Sequence, residues 1–273
     1  MVSLLACANA PNAGRLTILT YNVFGLPREN GAENIAQMGE HLNRYDFVLI
    51  QEDFIYHDLL ERGDHHPFRS IPGAVLPDRA VNDGLNIFSV LPFNTDFGVQ
   101  RIPWDDCSGI DCLSSKGIAV VRIAVHPNAT IDVYNLHLRS GSEELDFEVR
   151  ALQIDQLIGV VKTLSPSHAV IVAGDTNLTP GLRSPSGSIS DSELFQQLLD
   201  RLELVDSCQQ IFACASTDPR RIDRVMVRSS SSVIIDIVDW FIDERFVDRA
   251  GNPLSDHDAV GTTIQWQVTG ERG

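Results

Sequence analysis

Five apolar runs in this chain each carry a carboxylate, an amide or an imidazole at one end. Asn22 closes Ile18-Leu19-Thr20-Tyr21, and Glu52 closes Phe47-Val48-Leu49-Ile50-Gln51. His137 ends Val133-Tyr134-Asn135-Leu136, and Asp175 and Asn177 follow Val170-Ile171-Val172-Ala173-Gly174. Asp256 and His257 lead into the last run. Oxygen donors such as Glu52 suit a hard cation like Mg²⁺, which takes carboxylates and keeps several waters; thiolates or a His triad would not. A histidine titrating near neutrality can accept a proton from water, and a carboxylate partner fixes which ring nitrogen does so. One acidic residue at a strand end is ordinarily a turn or a helix cap. Five polar ends together form a rim over an apolar scaffold, which is where α/β folds carry their sites.

The elements that would hold this rim are legible as hydrophobic patterns. Residues 16–21, 47–51, 86–91, 117–125 and 169–173 are β-rich or continuously apolar, the last two as expected of strands covered on both faces. Residues 130–138 alternate, with Ile131, Val133, Asn135 and His137 on one face. Residues 222–228, 233–240 and 259–268 complete the strands. Helical spacing appears in 33–42 and in 192–204. It also runs from 145 to 164, with Leu145, Val149, Leu152, Leu157, Val161 and Leu164 along the expected buried side. Strands outnumber helices and occur both in pairs and alternating with helices, which predicts two packed sheets flanked by helices. With no repeat or long linker, residues 15–273 read as one domain behind an N-terminal stub, 1–14. If Asp256 and His257 lie on a strand they point to opposite faces, so Asp223, from another strand, is the better hydrogen-bond partner for His257.

In this order, Thr20-Tyr21-Asn22-Val23, Gln51-Glu52, Asn135-Leu136-His137-Leu138, Gly174-Asp175-Thr176-Asn177, Arg221-Ile222-Asp223-Arg224 and Ser255-Asp256-His257-Asp258 resemble the endonuclease/exonuclease/phosphatase superfamily. The Gly-Asp-x-Asn and Ser-Asp-His elements are the specific ones. The resemblance implies a four-layer α/β/β/α sandwich and Mg²⁺-dependent hydrolysis of a phosphodiester, with Mn²⁺ or Ca²⁺ as alternative ions. It implies Glu52 as main metal ligand, with Asn22 and Asp256 beside it. It further implies that Asp175 and Asn177 orient water and hold phosphoryl oxygens, and that His257 is the general base. Asp223 or Asp256 would orient His257, and His137 would serve the leaving-group side. Many members have Tyr or Phe after the Asp of this motif, where this chain has Arg224. The extended forms Tyr21-Asn22-Val23-Phe24-Gly25-Leu26-Pro27 and Pro253-Leu254-Ser255-Asp256-His257 look most like the secreted sphingomyelinase branch, as do the surroundings of Trp104, Cys107, Asp111-Cys112-Leu113 and Lys116-Gly117.

Composition narrows the substrate. The 273 residues carry a formal net charge of −16, which argues against a broad basic surface for nucleic acid or anionic lipid. Arg139, Arg221 and Arg224 near the motifs would bind one phosphate rather than track a polyanion. The expected substrate is therefore a lipid or small phosphodiester, with a nuclease as the alternative and a catalytically silent binding module after it; the expected state is a monomer. Phe93, Phe97, Trp240 and Phe241 are read as core residues rather than as a lipid-inserting hairpin. Cys107 with Cys112, and Cys208 with Cys214, look like local disulfides of a secreted or cell-envelope protein, leaving Cys7 over. Leu4-Leu5-Ala6-Cys7 resembles a lipoprotein cleavage box that would anchor the N-terminus at a membrane, although only six residues, none basic, precede Cys7. His65 and His66 beside Asp64 are read as structural, and His41, His57, His126 and His168 have no motif partner. Asn128-Ala129-Thr130 and Asn177-Leu178-Thr179 are formal glycosylation sequons.

Overall fold

Alternating and continuous apolar strands of this sequence sort into two six-stranded mixed sheets, each closed off by helices. The computed structural model describes residues 11–127, 129–211, 218 and 220–269. The first sheet contains β1 (Ala13–Asn22), β2 (Phe47–Gln51), β3 (Phe68–Arg69), β4 (Asn86–Ser89), β11 (Val233–Ile242) and β12 (Val260–Val268), in the order β11-β12-β1-β2-β4-β3. The second contains β5 (Gln100–Pro103), β6 (Gly117–His126), β7 (Ala129–His137), β8 (Ala169–Asp175), β9 (Val205–Asp206) and β10 (Asp223–Arg228), in the order β5-β6-β7-β8-β10-β9. The parallel pairs β1–β2 and β7–β8 are each bridged by a crossover helix, α1 (Gly31–Leu42) and α3 (Glu144–Leu164). Helices α2 (His57–Gly63), α4 (Asp191–Leu202), the short α5 (Ser207–Gln210) and a 3₁₀ turn at Gly109–Leu113 complete the described elements.

Three apolar layers hold the four structural layers together. Leu16, Ile18, Phe47, Leu49 and Ile264 of the first sheet meet Val121, Val133, Ile171 and Val225 of the second, all buried between the sheets. Outside the second sheet, Val120, Tyr134, Val172 and Met226 pack under Ile154, Leu157, Val161, Leu194 and Leu198 of α3 and α4. Outside the first, Leu19, Tyr21, Val48 and Ile50 pack under Ile35, Met38 and Leu42 of α1. Burying every second residue of a strand on each face explains why the central strands read as continuous apolar runs. The expected four-layer sandwich is the observed architecture.

Three expectations about elements need correction. In α3 the docked stripe is Phe147, Val149, Arg150, Ile154, Leu157, Ile158 and Val161, whereas Leu145 and Leu152 are half exposed. The helix is apolar on several sides, so periodicity alone does not select the face; the docked side also buries the charged Arg150, paired with Asp191 of α4. Asp256 and His257 lie in a bend before β12 rather than on a strand. Finally, His57 and His168 do have partners, Asp53 at 2.6 Å and Asp132 at 3.5 Å. His66 is held on both ring nitrogens, by Asp64 and by the Tyr45 carbonyl, as a structural residue. Phe93, Phe97 and Phe241 pack against the apolar layers. The disulfide Cys107–Cys112 is present. Cys208 is also disulfide-bonded, while Cys214, Cys7 and Asn128 lie outside the described residues. No helix among the described residues is long and apolar enough to cross a membrane.

Candidate active site

Strand register builds the site. His137 and Asp175 are paired across β7 and β8, and Asp223 is paired with Asp175 across β8 and β10, so three polar residues stand in one row at the strand ends. On the facing sheet, Asn22 is level with Gln51, and Glu52 follows immediately. A buried polar clamp sets one sheet against the other. Asn135 of β7 donates to the carbonyls of Ile50 and Asn86, at 2.8 and 3.0 Å, and accepts from Gln51 Nε2 at 2.7 Å. Fully bonded interior amides of this kind specify one arrangement, because any other strands a polar group in the core.

The turns that deliver the side chains adopt costly backbone conformations. Phe24, Glu52 and Asn177 are left-handed, with φ of 49°, 57° and 48°. Such residues cost about 1–3 kcal/mol each and collect at functional sites. Glu52 is locked by Gly25, whose N–H donates to the Glu52 carbonyl at 3.0 Å; a Cβ at Gly25 would stand 2.1 Å from that oxygen. Asn177 is held by its N–H to Asp175 Oδ1 at 2.9 Å and by its amide to the Leu138 carbonyl at 3.1 Å.

Asp175 is the hub. Its Oδ2 lies 3.1 Å from Asn22 Nδ2, 3.2 Å from His137 Nε2 and 3.7 Å from His257 Nε2. His257 is held from its other nitrogen by Asp223 Oδ2, at 2.8 Å. The bend carrying it is tied to β1 through Ser255 Oγ, which donates to the Asn22 carbonyl at 2.7 Å. The structure thus pairs His257 with Asp223. Asp256 is exposed and meets Ser255 Oγ, at 3.3 Å. Glu52 Oε1 is 3.9 Å from His137 Nε2, and Glu52 Oε2 is buried without a hydrogen-bond partner. The side chains of Glu52 and His257 are each 15% exposed, against 1–2% for Asp175 and Asp223. Solvent therefore reaches Glu52 and His257, while the buried Asp223 positions His257.

Charge follows geometry. Burial alone would raise the Asp175 carboxyl, but His137, His257 and the Asn22 amide outweigh it and hold the group below the ordinary carboxylate range. Burial alone would lower the His257 imidazole, but Asp223, then Asp175 and Asp256, raise it well above the ordinary value. Among the described residues, Asp175, Asp223 and His257 are the group of three whose donor atoms converge within 4.8 Å. His257 and Asp223 already satisfy each other there, whereas Glu52, with Oε1 3.9 Å from His137 and Oε2 unpartnered, offers the donor a hard cation would take. Asn22 faces the same place, its Oδ1 also accepting the Phe24 N–H at 3.0 Å.

Two basic residues differ from expectation and one was not foreseen in a site role. The Arg139 guanidinium is engaged by Asp111 at 2.9 Å and Asp146 at 2.8 Å rather than free for a phosphate. Arg224 points to the opposite face of β10 from Asp223, under Phe195 of α4. Lys116 is the addition: its ammonium lies 3.2 Å from His137 Nε2 and is steadied at 3.0 Å by Asp111, which sits in the loop closed by the Cys107–Cys112 disulfide. Its signal in the sequence was scarcity, since only two of the 21 basic residues are lysines.

The Endonuclease/Exonuclease/phosphatase family model matches residues 19–257, and the chain belongs to that family. Among curated proteins it is similar to a sphingomyelinase from Mycobacterium bovis, 27% identical over 270 residues that cover 90% of this chain and 51% of the relative. The chain thus spans about half the length of the curated relatives it matches. Among solved structures, sphingomyelinase C from Streptomyces griseocarneus superposes with a TM-score of 0.65 at 20% identity, covering 92% of this chain and 99% of the other. Beta toxin from Staphylococcus aureus, in a variant crystallised with bound magnesium ions, gives 0.65 at 17% identity, covering 94% and 100%. These likenesses confirm the fold.

Proposed function

We propose that this protein hydrolyses a phosphodiester with a divalent cation, Mg²⁺ in the first instance, acting on a sphingomyelin-like lipid or another small zwitterionic diester. The observation that carries the reading is the convergence of His137 and His257 on Asp175 Oδ2, with Glu52, one of whose oxygens is unpartnered, 3.9 Å from His137. Glu52 and Asn22 would hold the cation, with Asp256 at the exposed margin. A bound divalent cation would supply positive charge for the phosphoryl oxygens and offset the carboxylates that keep His257 protonated.

Within this frame His257 Nε2 takes a proton from the attacking water, and Asp223 stabilises the imidazolium through Nδ1. Asp175 and Asn177 align that water and the phosphoryl oxygens. As the bond from phosphorus to the leaving oxygen breaks, His137, with Lys116 against it, meets the developing negative charge and returns a proton, giving an alcohol and a phosphomonoester. The acidic surface and the engagement of Arg139 and Arg221 by carboxylates favour a small headgroup over a long polyanion. The disulfide fits an oxidising, secreted or cell-envelope setting.

The test is a side-by-side assay with Mg²⁺ on sphingomyelin vesicles, double-stranded DNA and a soluble nucleotide diester, with EDTA and His257→Ala controls. Sphingomyelin turnover should dominate, EDTA should abolish it, and His257→Ala should lose about 10²- to 10⁴-fold. Faster cleavage of DNA overturns the substrate assignment, and wild-type activity in His257→Ala overturns the base.

A further inference from the structure

Behind the loop that carries Asn177, on the helix-covered face of the second sheet, lies a polar cavity of about 210 Å³. Arg221 and Arg224, both more than nine-tenths buried, line it, with Phe195 as a wall. Ser192, Gln196 and Gln209, all exposed, line it from the solvent side. Its charge is not balanced from within. Asp206 is the near carboxylate, and it is shared: Oδ1 accepts from Arg221 at 2.8 Å and from the Gln209 N–H at 2.9 Å, while Oδ2 is 3.8 Å from Arg224. The other carboxylates acting on Arg224 are committed elsewhere, Asp223 to His257 and Asp191 to Arg150 and the Thr179 N–H. Arg224 donates through Nη2 to the Leu178 carbonyl, at 3.1 Å, but its Nε and Nη1 are buried with no acceptor. A guanidinium stripped of water and left with unused donors is a built receptor for an oxyanion.

We propose that this cavity binds a phosphate dianion, free or as the headgroup of a small phosphomonoester, at a site separate from the catalytic rim. The two arginines supply the charge, and the serine and glutamine side chains supply neutral donors at the mouth. Filling it bears on the neighbouring loop, because Arg224 holds the carbonyl of Leu178, the residue after Asn177.

Inorganic phosphate is titrated into the whole protein in EDTA at fixed ionic strength, read by calorimetry and by the side-chain N–H resonances of Arg221 and Arg224. Saturable binding with millimolar or tighter Kd that shifts both resonances is expected, and His257→Ala should bind equally well. Arg224→Gln should weaken binding at least tenfold. Gln209→Glu, a surface change that leaves the fold alone, should weaken it by about tenfold by placing a negative charge at the mouth. Glycerol phosphate is run in parallel; the tighter of the two assigns the ligand as ester or free ion, and either supports the site. Non-saturable binding, or binding unchanged in both Arg224→Gln and Gln209→Glu, overturns the proposal.

Discussion

Replacing Asp223 by Asn tests the pairing on which the proposed chemistry turns. The carboxylate sits 2.8 Å from His257 Nδ1 and is 2% exposed, so the change removes a charge while leaving the packing intact. At an effective dielectric constant of about 20, opposite charges at that separation attract by about 6 kcal/mol before desolvation is counted. Positioned proton transfer is worth about 10²- to 10⁴-fold, or roughly 3–5 kcal/mol at 1.36 kcal/mol per decade, within the gross electrostatic figure. An amide NH₂ aimed at Nδ1 would also favour the wrong tautomer, as the same Asp-to-Asn change does in a serine protease triad. We expect kcat on bis-p-nitrophenyl phosphate, at saturating Mg²⁺, to fall at least about 10²-fold with KM little changed. Asp256→Asn, at an exposed side chain in contact with Ser255, should lose less than about tenfold by the same measure. Thermal melts of both variants control for folding. An Asp223→Asn enzyme close to wild type, or an equal loss in Asp256→Asn, refutes the reasoning.

Three further outcomes are expected. Glu52→Gln should raise the Mg²⁺ concentration for half-maximal rate at least about tenfold, since it removes the negative charge a hard cation needs at the unpartnered oxygen; an unchanged Mg²⁺ titration contradicts the ligand role. Arg150→Met should lower unfolding free energy in urea by about 3–5 kcal/mol, because Asp191 is left charged and fully buried, and a loss below about 1 kcal/mol would speak against it. For His66, burial alone would lower the imidazole, but Asp64 and the Tyr45 carbonyl outweigh it and raise it. A raised folded-state value stabilises fully below the unfolded value of about 6.5 and fades as pH climbs through the folded one. The stability gap between wild type and His66→Gln should therefore shrink from about pH 6 to pH 9; a widening gap would reverse the sign of this argument.

The central strands and the rim were legible for a common reason. A strand buried on both faces has to be apolar throughout, so His137, Asp175 and Asp223 stand out against Val133, Val172 and Val225. What pattern did not reach was set by tertiary contacts. On α3, Leu145 and Leu152 are apolar yet half exposed, while the charged Arg150 is buried against Asp191. The strands β3, β5 and β9 are two to four residues long and carry no period to read. Lys116 reaches His137 while paired with Asp111, which a local disulfide loop presents to it. The choice of Asp223 over Asp256 was reachable in advance because side-chain direction separates neighbours, although the residues turned out to occupy a bend.

The tie between Ser255 and the Asn22 carbonyl joins positions 233 residues apart, and β1 takes β12 as its antiparallel neighbour. At about 5–20 residues per second of synthesis, roughly 10–50 s separate the emergence of the two halves of the rim from a ribosome. Throughout that interval β1 has a bare edge, of the kind that invites pairing with other chains. A growing chain therefore lacks its completed rim and carries an open β1 edge at the same time. The tie that completes the rim and the pairing that covers the β1 edge form together, when β12 docks.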